Sequence, residues 1–244
     1  MNDAELAREI ASEAGDLLLA IRARADLTGA ALGDCGDREA DDLIHTRLRA
    51  ARPDDFILSE ETTDDRRRCS ASRVWVIDPL DGTRDYADRL DDWAVHIGLA
   101  IDGLPVTGAV ALPVLGRVFA TDDPAPAFPP LPARPRMVAS RTRCPALVER
   151  VAAALDAELI GMGSAGAKAM AVLDGRADIY LHAGGQYEWD SCAPVAVALA
   201  AGLHASRIDG ARLRYNCEDP RLPDLLICRR ELAECVLALV AELA

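Results

Sequence analysis

The stretch VWVIDPLDGTRDY, residues 74–86, constrains the fold more than any other part of this sequence. Residues 74–77 are an apolar, β-favouring run that is typical of a buried strand. Pro79 fixes one backbone angle, and Gly82 tolerates backbone angles that other residues resist. The pattern therefore predicts a buried strand that ends in a tight, rigid turn.

Two acids lie in this predicted turn. Asp78 and Asp81 flank the backbone carbonyl of Leu80, and the three groups are expected to converge. Two carboxylates about 4 Å apart repel by about 4 kcal/mol at an effective dielectric constant of about 20, so they must share a proton, splay apart or hold a cation. Glu60 and Glu61 follow another β-like run and offer further acids. Oxygen-only ligands favour Mg²⁺ or Ca²⁺ over zinc, although an isolated D-P-L-D-G is also a common surface turn.

Hydrophobic periodicity predicts two helices, over residues 3–24 and 38–51, that open the chain. A sheet packed on these helices is predicted from strands at 56–58, 74–77, 93–101, 106–112 and 117–120. Six prolines between residues 121 and 136 suit a stiff connector. Strands and helices then alternate, which is typical of an α/β arrangement. The predicted organisation is an N-terminal α+β half (1–122), a Pro-rich connector (123–136) and a C-terminal α/β half (137–244).

Composition restricts the partners of this chain. The formal charge of −13 disfavours nucleic acid and anionic membranes, so an anionic partner requires cations in between. No run of eighteen apolar residues occurs, and the first ten residues carry acids where a secretory signal would be basic, which predicts a cytosolic protein. Seven cysteines without a C-x-x-C pair are interpreted as reduced thiols.

Three segments resemble signatures of the inositol monophosphatase superfamily, a group of lithium-sensitive, Mg²⁺-dependent phosphomonoesterases. WVIDPLDGTRDY is similar to the family pattern W-x-x-D-P-(L/I)-D-G-T, SEE at 59–61 to G-E-E, and EWDSCAP at 188–194 to W-D-x-x-A. The resemblance spans most of the chain. It implies a layered αβαβα sandwich with the site between the two halves, and two or three Mg²⁺ ions as cofactors. Homodimers are common among similar proteins, but no apolar stripe in this sequence requires one.

The resemblance also implies the site residues. The implied metal ligands are Glu60, Asp78, the Leu80 carbonyl, Asp81 and Asp190. Glu60, Thr83 and Asp37 are the implied catalytic residues, with Thr83 and Asp37 orienting or deprotonating the attacking water. A structural role as a helix N-cap stays open for two of these acids. Asp37 stands where a helix is expected to begin, and Asp190 precedes an Ala-rich helix. The lysine-containing segment that usually precedes the acid at Asp37 is absent here.

Two further segments favour the 3′(2′),5′-bisphosphate nucleotidase branch, which includes CysQ-type enzymes. GSAGAKAM at 163–170 is similar to the pattern G-(G/S)-A-G-x-K of that branch. It offers unpaired N–H groups at a helix start, which bind phosphate, and the only lysine of the chain, Lys168, as a point charge. A surface lysine on an amphipathic helix is the alternative. VASRTRCP at 138–145 resembles a segment that closes over substrate, with Arg143 also a donor to a second phosphate, although arginine-rich turns are commonly solvated. The implied substrate-binding residues are Gly82, Thr83, Ser140, Arg141, Ser164, Lys168 and Asp190.

The function implied by this resemblance is removal of the 3′-phosphate from adenosine 3′,5′-bisphosphate, and from its sulfated relative 3′-phosphoadenosine 5′-phosphosulfate, in sulfur assimilation. A small phosphorylated nucleotide is thus the expected partner. Inositol phosphates and fructose 1,6-bisphosphate remain alternative substrates. A non-catalytic protein that binds divalent cations is the alternative from a different class. The four histidines stand singly in helix or strand patterns, and none is assigned a catalytic role.

Overall fold

The computed structural model describes residues 1–244 and opens with two helices, α1 (Asp3–Arg22) and α2 (Ala30–Ala51). Both helices pack on a five-stranded sheet whose strands lie side by side in chain order. The first two strands are parallel, and all other neighbours are antiparallel. The strands are β1 (Phe56–Ser59), β2 (Arg73–Asp81), β3 (Ala94–Ile101), β4 (Leu104–Leu112) and β5 (Arg117–Ala120), and a short helix α3 (Thr83–Ala87) follows β2.

The second half contains another five-stranded sheet and four helices. Its strands are β6 (Arg136–Ser140), β7 (Glu158–Met162), β8 (Ile179–His182), β10 (His204–Ser206) and β12 (Leu225–Cys228), in the order β10-β12-β8-β6-β7. The helices are α4 (Ala146–Ala154), α5 (Ala165–Leu173), α6 (Glu188–Ala200) and α7 (Arg230–Leu243). A separate two-stranded ribbon pairs β9 (Gln186–Tyr187) with β11 (Arg221–Leu222).

Alternation along the strands explains the layers. In β2, Val74 and Val76 join the core shared with α5 and α6, whereas Trp75 and Ile77 join the core under α1 and α2. Successive strand residues point to opposite faces, so a strand that is apolar on both faces must be covered on both. A third core packs the second sheet against α4 and α7. The layers are therefore α1/α2, first sheet, α5/α6, second sheet and α4/α7, which confirms the predicted αβαβα sandwich.

Helix α2 begins at Ala30, eight residues before the predicted start, so the prediction for this boundary was wrong. Gly33 and Gly36 lower helix propensity by about 1 kcal/mol each and hid the first two turns. Packing requires them: a Cβ at Gly33 would lie 2.8 Å from Thr83 Cγ2, and one at Gly36 would lie 3.1 Å from Leu80 Cδ2. Asp37 therefore lies inside the helix and is not its N-cap, which is Gly29.

The segment between β5 and β6 contains no helix or strand over residues 121–135, where the proline-rich connector was expected. The division of the chain into two domains at this connector stays a prediction. None of the seven helices combines the length and the apolar character needed to cross a bilayer.

The closeness of α6 to the first sheet depends on glycine. A Cβ at Gly108 in β4 would lie 2.8 Å from the Ala193 carbonyl oxygen, a backbone atom that cannot move aside. A Cβ at Gly161 in β7 would meet nothing closer than 3.5 Å.

We expect Gly108→Ala to lower the free energy of unfolding by about 1–3 kcal/mol, and Gly161→Ala to change it by less than about 0.5 kcal/mol. Urea unfolding measures both, and equal effects would contradict this packing.

Candidate metal centre and active site

A bulge at the end of β2 aims two carboxylates at one place. Asp78 lies opposite His96 of β3, and Asp81 lies opposite Ala94, so three steps along β2 match two steps along β3. In a regular strand, residues three apart would point to opposite faces. The extra residue breaks this alternation, as bulges do, and the oxygens of Asp78 and Asp81 converge.

The third carboxylate comes from helix α6. Asp78, Asp81 and Asp190 each offer an oxygen that lies within 4.8 Å of the other two. Asp190 was expected to precede its helix; instead, α6 begins at Glu188, and Asp190 lies in its first turn. One of its oxygens accepts a hydrogen bond of 2.6 Å from the backbone N–H of Tyr187. Asp190 therefore caps the helix from within and still has a second oxygen for a ligand.

Helix α6 is held in place by its first residue. Glu188 is completely buried, and its carboxylate accepts hydrogen bonds from the backbone N–H groups of Asn216, at 2.6 Å, and Cys217, at 2.8 Å. Arg68, also buried, donates to the Cys217 carbonyl and to the Asn216 side chain. These contacts fix the helix start and thereby the position of the metal-ligand candidate Asp190.

The acidic cluster carries uncompensated negative charge. Burial raises the pKa of Asp78 well above its usual value, and the neighbouring Glu60 and Asp81 raise it further. Burial, with Asp81 as the next contributor, raises the pKa of Asp190 to about 6. Glu60 keeps a solvent-exposed surface, yet desolvation in the cavity and the charge of Asp190 raise its pKa to about 8. A set of close carboxylate oxygens that resist ionisation together fits a hard divalent cation such as Mg²⁺.

Asp81 differs from its neighbours because the protein compensates its charge. Its Oδ2 atom accepts hydrogen bonds from Ser164 Oγ at 2.5 Å and from the backbone N–H of Gly166 at 2.7 Å. His96 Nε2 lies 3.2 Å from the same oxygen, without a well-aligned hydrogen bond, so this contact is electrostatic. Burial alone would raise the pKa of Asp81, but His96, Lys168 and Ser164 outweigh it and hold the pKa below its usual value.

These contacts change the interpretation of helix α5. The sequence predicted that its N-terminus binds phosphate through free N–H groups and Ser164; in the structure, the Ser164 hydroxyl and an N–H group bind the Asp81 carboxylate. The positive end of the helix dipole stabilises that carboxylate. A Cβ at Gly166 would lie 2.1 Å from His96 Nε2, so this glycine is required for the contact.

His96 is the main residue that sequence reasoning missed. It is completely buried in β3, and its Nδ1 lies 3.0 Å from the Trp189 carbonyl, so it joins β2, α5 and α6. A single histidine inside an apolar strand carries no motif. The only signal is the pair of glycines at 163 and 166, which leaves space for a side chain from another segment but does not indicate which residue fills it.

Lys168 is 5% exposed, so the alternative of a surface lysine is wrong. Its Nζ donates to the carbonyl oxygens of Gly163, at 2.9 Å, and Ser164, at 2.5 Å. Both carbonyls belong to the turn that places the Ser164 hydroxyl on Asp81. Lys168 also lines the cavity described below, and its charge lies close enough to lower the pKa of Asp81.

A hydroxyl and a buried acid lie beside the carboxylate cluster. Thr83 Oγ1 is 3.3 Å from Asp37 Oδ1 and 3.1 Å from the Leu80 carbonyl oxygen, and its one proton serves one acceptor at a time. Burial, followed by the charge of Glu61, raises the pKa of Asp37 to about 7. This acid can therefore accept or release a proton near neutral pH.

An open cavity of about 980 Å³ lies between the two halves in front of these groups. Asp37, Asp78 and Leu80 are buried and do not line it. Arg141 pairs with Asp85 and Asp92 on the opposite half, so its charge is already matched. Most residues predicted for the site line this cavity: Glu60, Asp81, Gly82, Thr83, Ser140, Arg141, Ser164, Lys168 and Asp190.

Comparison with known proteins identifies the family. The model of the inositol monophosphatase family matches residues 3–128 and 134–243. The chain therefore belongs to the inositol monophosphatase family, whose members are metal-dependent. It is 50% identical over 240 residues to a 3′-phosphoadenosine 5′-phosphate phosphatase of Mycobacterium bovis. The alignment covers 94% of this chain and 90% of that protein.

More distant relatives agree. The 3′(2′),5′-bisphosphate nucleotidase CysQ of Escherichia coli (strain K12) is 31% identical over 193 residues, covering 74% of this chain and 78% of that protein. The crystal structure of CysQ from Bacteroides thetaiotaomicron superposes with a TM-score of 0.79 at 26% identity, over 93% of this chain and 97% of that chain. These matches confirm the family resemblance and its nucleotidase branch.

The carboxylate cluster predicts that Mg²⁺ stabilises the folded chain. A cation that binds only the folded state adds about 2.7 kcal/mol at about 100 times its Kd, so Tm should rise with Mg²⁺ concentration. Asp190→Asn should lose most of this rise while the metal-free protein is no less stable, because one of the repelling charges is gone. Asp42→Asn, at an exposed position of α2, is the matched control. Differential scanning calorimetry measures Tm, and an unchanged rise in Asp190→Asn would contradict the assignment.

Proposed function

We propose that this chain is a Mg²⁺-dependent phosphatase that removes the 3′-phosphate of adenosine 3′,5′-bisphosphate, with 3′-phosphoadenosine 5′-phosphosulfate as a further substrate. The observation that carries the proposal is the pairing of Asp37 and Thr83 beside a cluster of carboxylates in an open cavity. The identity to relatives named as phosphatases of this bisphosphate supports the choice of substrate. In this proposal the enzyme acts in the cytosol, in sulfur assimilation.

Electrostatics requires a cation for this reaction. A phosphate monoester dianion is repelled by Glu60, Asp81 and Asp190, which line the cavity, and by the acidic balance of the whole chain. In the proposal, Glu60, Asp78, Asp81, Asp190 and the Leu80 carbonyl hold two or three Mg²⁺ ions. Bound Mg²⁺ would neutralise the cluster, polarise the phosphoryl oxygens and stabilise the leaving alkoxide.

The protein's own residues would handle the water. Thr83 Oγ1 can accept a hydrogen bond from a water while it donates its own proton to Asp37 Oδ1. Asp37, with its pKa raised to about 7, is suited to take up the proton at neutral pH. Glu60 lines the same cavity as Thr83, and desolvation and the charge of Asp190 raise its pKa to about 8. No covalent phosphoenzyme is required, because the attacking group is water.

Two alternatives to the proposed function can be distinguished by measuring phosphate release. Inositol 1-phosphate and fructose 1,6-bisphosphate are the competing substrates on this fold. A non-catalytic cation-binding protein is the competing class, but it would leave the pair of Thr83 and Asp37 without a purpose.

The test of the proposed function is phosphate release from the three compounds with Mg²⁺, and then with added Li⁺. We expect the highest kcat/KM for adenosine 3′,5′-bisphosphate and inhibition by Li⁺. Asp81→Asn should nearly abolish release while circular dichroism stays native. Equal turnover of inositol 1-phosphate would reject the substrate, and no loss in Asp81→Asn would favour the cation-binding protein.

The hydroxyl of Thr83 can be tested alone. We expect Thr83→Val, which keeps the shape but loses the oxygen, to lower kcat by about 10²–10⁴-fold, the usual contribution of a positioned proton-transfer group. Thr83→Ser keeps the oxygen and should retain most of the activity. Steady-state kinetics measures both variants, and similar losses in the two would show that the methyl group matters and the hydroxyl does not.

A further inference from the structure

Glu60 is the only proposed metal ligand that lies outside the helices and strands. The other ligands lie in β2 and α6, whereas Glu60 follows Ser59, the last residue of β1. Residues 60–65 belong to no helix or strand. The direction of the Glu60 side chain must therefore be fixed by contacts of the residues around it.

A buried hydrogen bond anchors the chain just before Glu60. Ser59 is 3% exposed, and its hydroxyl donates to Asp41 Oδ1 of α2 at 2.5 Å. The same hydroxyl oxygen accepts a hydrogen bond from the backbone N–H of Glu61 at 3.2 Å. Ser59 Oγ thus joins helix α2 to the backbone on the far side of Glu60. Glycine, the first residue of the family pattern G-E-E, has no hydroxyl and cannot form these contacts.

Asp41 is itself held in place. It is buried and lies one helical turn after Asp37, so the two acids share a face of α2. Asp41 Oδ2 lies 3.2 Å from His45 Nδ1, and the Asp41 carbonyl oxygen lies 3.1 Å from the same nitrogen. The two carboxylate oxygens thus have separate partners, and Oδ1 is presented to Ser59 in a fixed direction.

Strand alternation explains why this anchor directs Glu60 toward the metal centre. Ile57 packs against the core under α1 and α2, whereas Leu58 belongs to the core shared with α5 and α6. Ser59 returns to the side of α2. Glu60, the next residue, is therefore expected on the opposite side, and it lines the cavity together with Asp190 of α6.

The far end of this segment has a separate anchor. Asp64 accepts hydrogen bonds from Arg68 Nε at 2.6 Å and from Arg68 Nη2 at 2.9 Å. Arg68 is fully buried and also donates to the Cys217 carbonyl. Loss of the Ser59 hydroxyl should therefore loosen Glu60 without releasing the whole segment.

We propose that Ser59 and Asp41 are positioning residues of the metal centre, because their hydrogen bond fixes the direction in which Glu60 presents its carboxylate. This inference rests on the proposed function, in which Glu60 holds Mg²⁺. Loss of a group that orients a metal ligand typically costs about 10–100-fold in metal affinity or activity. Neither Ser59 nor Asp41 lines the cavity, so the effect is expected on cation binding and not on nucleotide binding.

The test measures the Mg²⁺ concentration that gives half of the maximal kcat with saturating adenosine 3′,5′-bisphosphate. We expect Ser59→Ala to raise this concentration about tenfold, and to leave KM for the nucleotide unchanged once Mg²⁺ saturates. Asp41→Asn keeps an oxygen that accepts from Ser59, so it should raise the concentration less. Ser206→Ala, the matched control, removes a buried, hydrogen-bonded hydroxyl from β10 and should not change it.

A double variant tests whether Ser59 acts through Glu60. Glu60→Gln alone should raise the Mg²⁺ requirement, and adding Ser59→Ala should then change it by less than about twofold, because residues that act through one another are not additive. Fully additive losses would overturn the inference. So would an unchanged Mg²⁺ requirement in Ser59→Ala, or an equal loss in Asp41→Asn, which would assign the effect to the charge of Asp41.

Calorimetric titration with Mn²⁺ alone gives a readout that needs no turnover. Ser59→Ala should raise the Kd of Mn²⁺ about tenfold. A lower Tm with an unchanged Kd would show that Ser59 only stabilises the fold, and would overturn the inference. If the wild-type protein binds Mn²⁺ but fails to hydrolyse the bisphosphate, the proposed function fails, while Mn²⁺ binding still tests Ser59 and Asp41.

Discussion

Repulsion among buried carboxylates is the constraint on which the site depends. Asp78, Asp81 and Asp190 bring oxygens within 4.8 Å of one another, and only Asp81 is well compensated by the protein. Two such charges about 4 Å apart cost about 4 kcal/mol at an effective dielectric constant of about 20. A folded domain tolerates this arrangement when a ligand removes the cost, and an oxygen-only donor set suits a hard divalent cation.

The layered fold provides the means of bringing these charges together. The bulge at the end of β2 breaks strand alternation, and the starts of α5 and α6 meet it from the layer between the two sheets. Gly108 and Gly166 permit the close approach of these helices, since a side chain at either would clash. The same junction opens the cavity of about 980 Å³, so access for a substrate and assembly of the acidic cluster have one structural origin.

Much of this architecture was predictable from the sequence, because the spacing of apolar residues reflects which faces of a helix or strand are buried. Strand β2 is apolar on both faces and therefore requires a packed layer on each side. The acids Asp78, Asp81 and Asp190, whose oxygens converge, could be singled out because each lies in a local motif. The start of α2 was missed because Gly33 lowers helix propensity while packing against Thr83 demands it. The partners of Asp81 were missed because the His96 contact and the orientation of Lys168 toward carbonyls arise only when distant segments meet.

The most direct test of the central claim is anomalous diffraction from crystals of this protein grown with Mn²⁺, a detectable substitute for Mg²⁺. The account predicts anomalous peaks bounded by carboxylate oxygens of Asp78, Asp81 and Asp190. Well-ordered crystals in which Mn²⁺ scatters elsewhere, with these three side chains bound only to water, would contradict it.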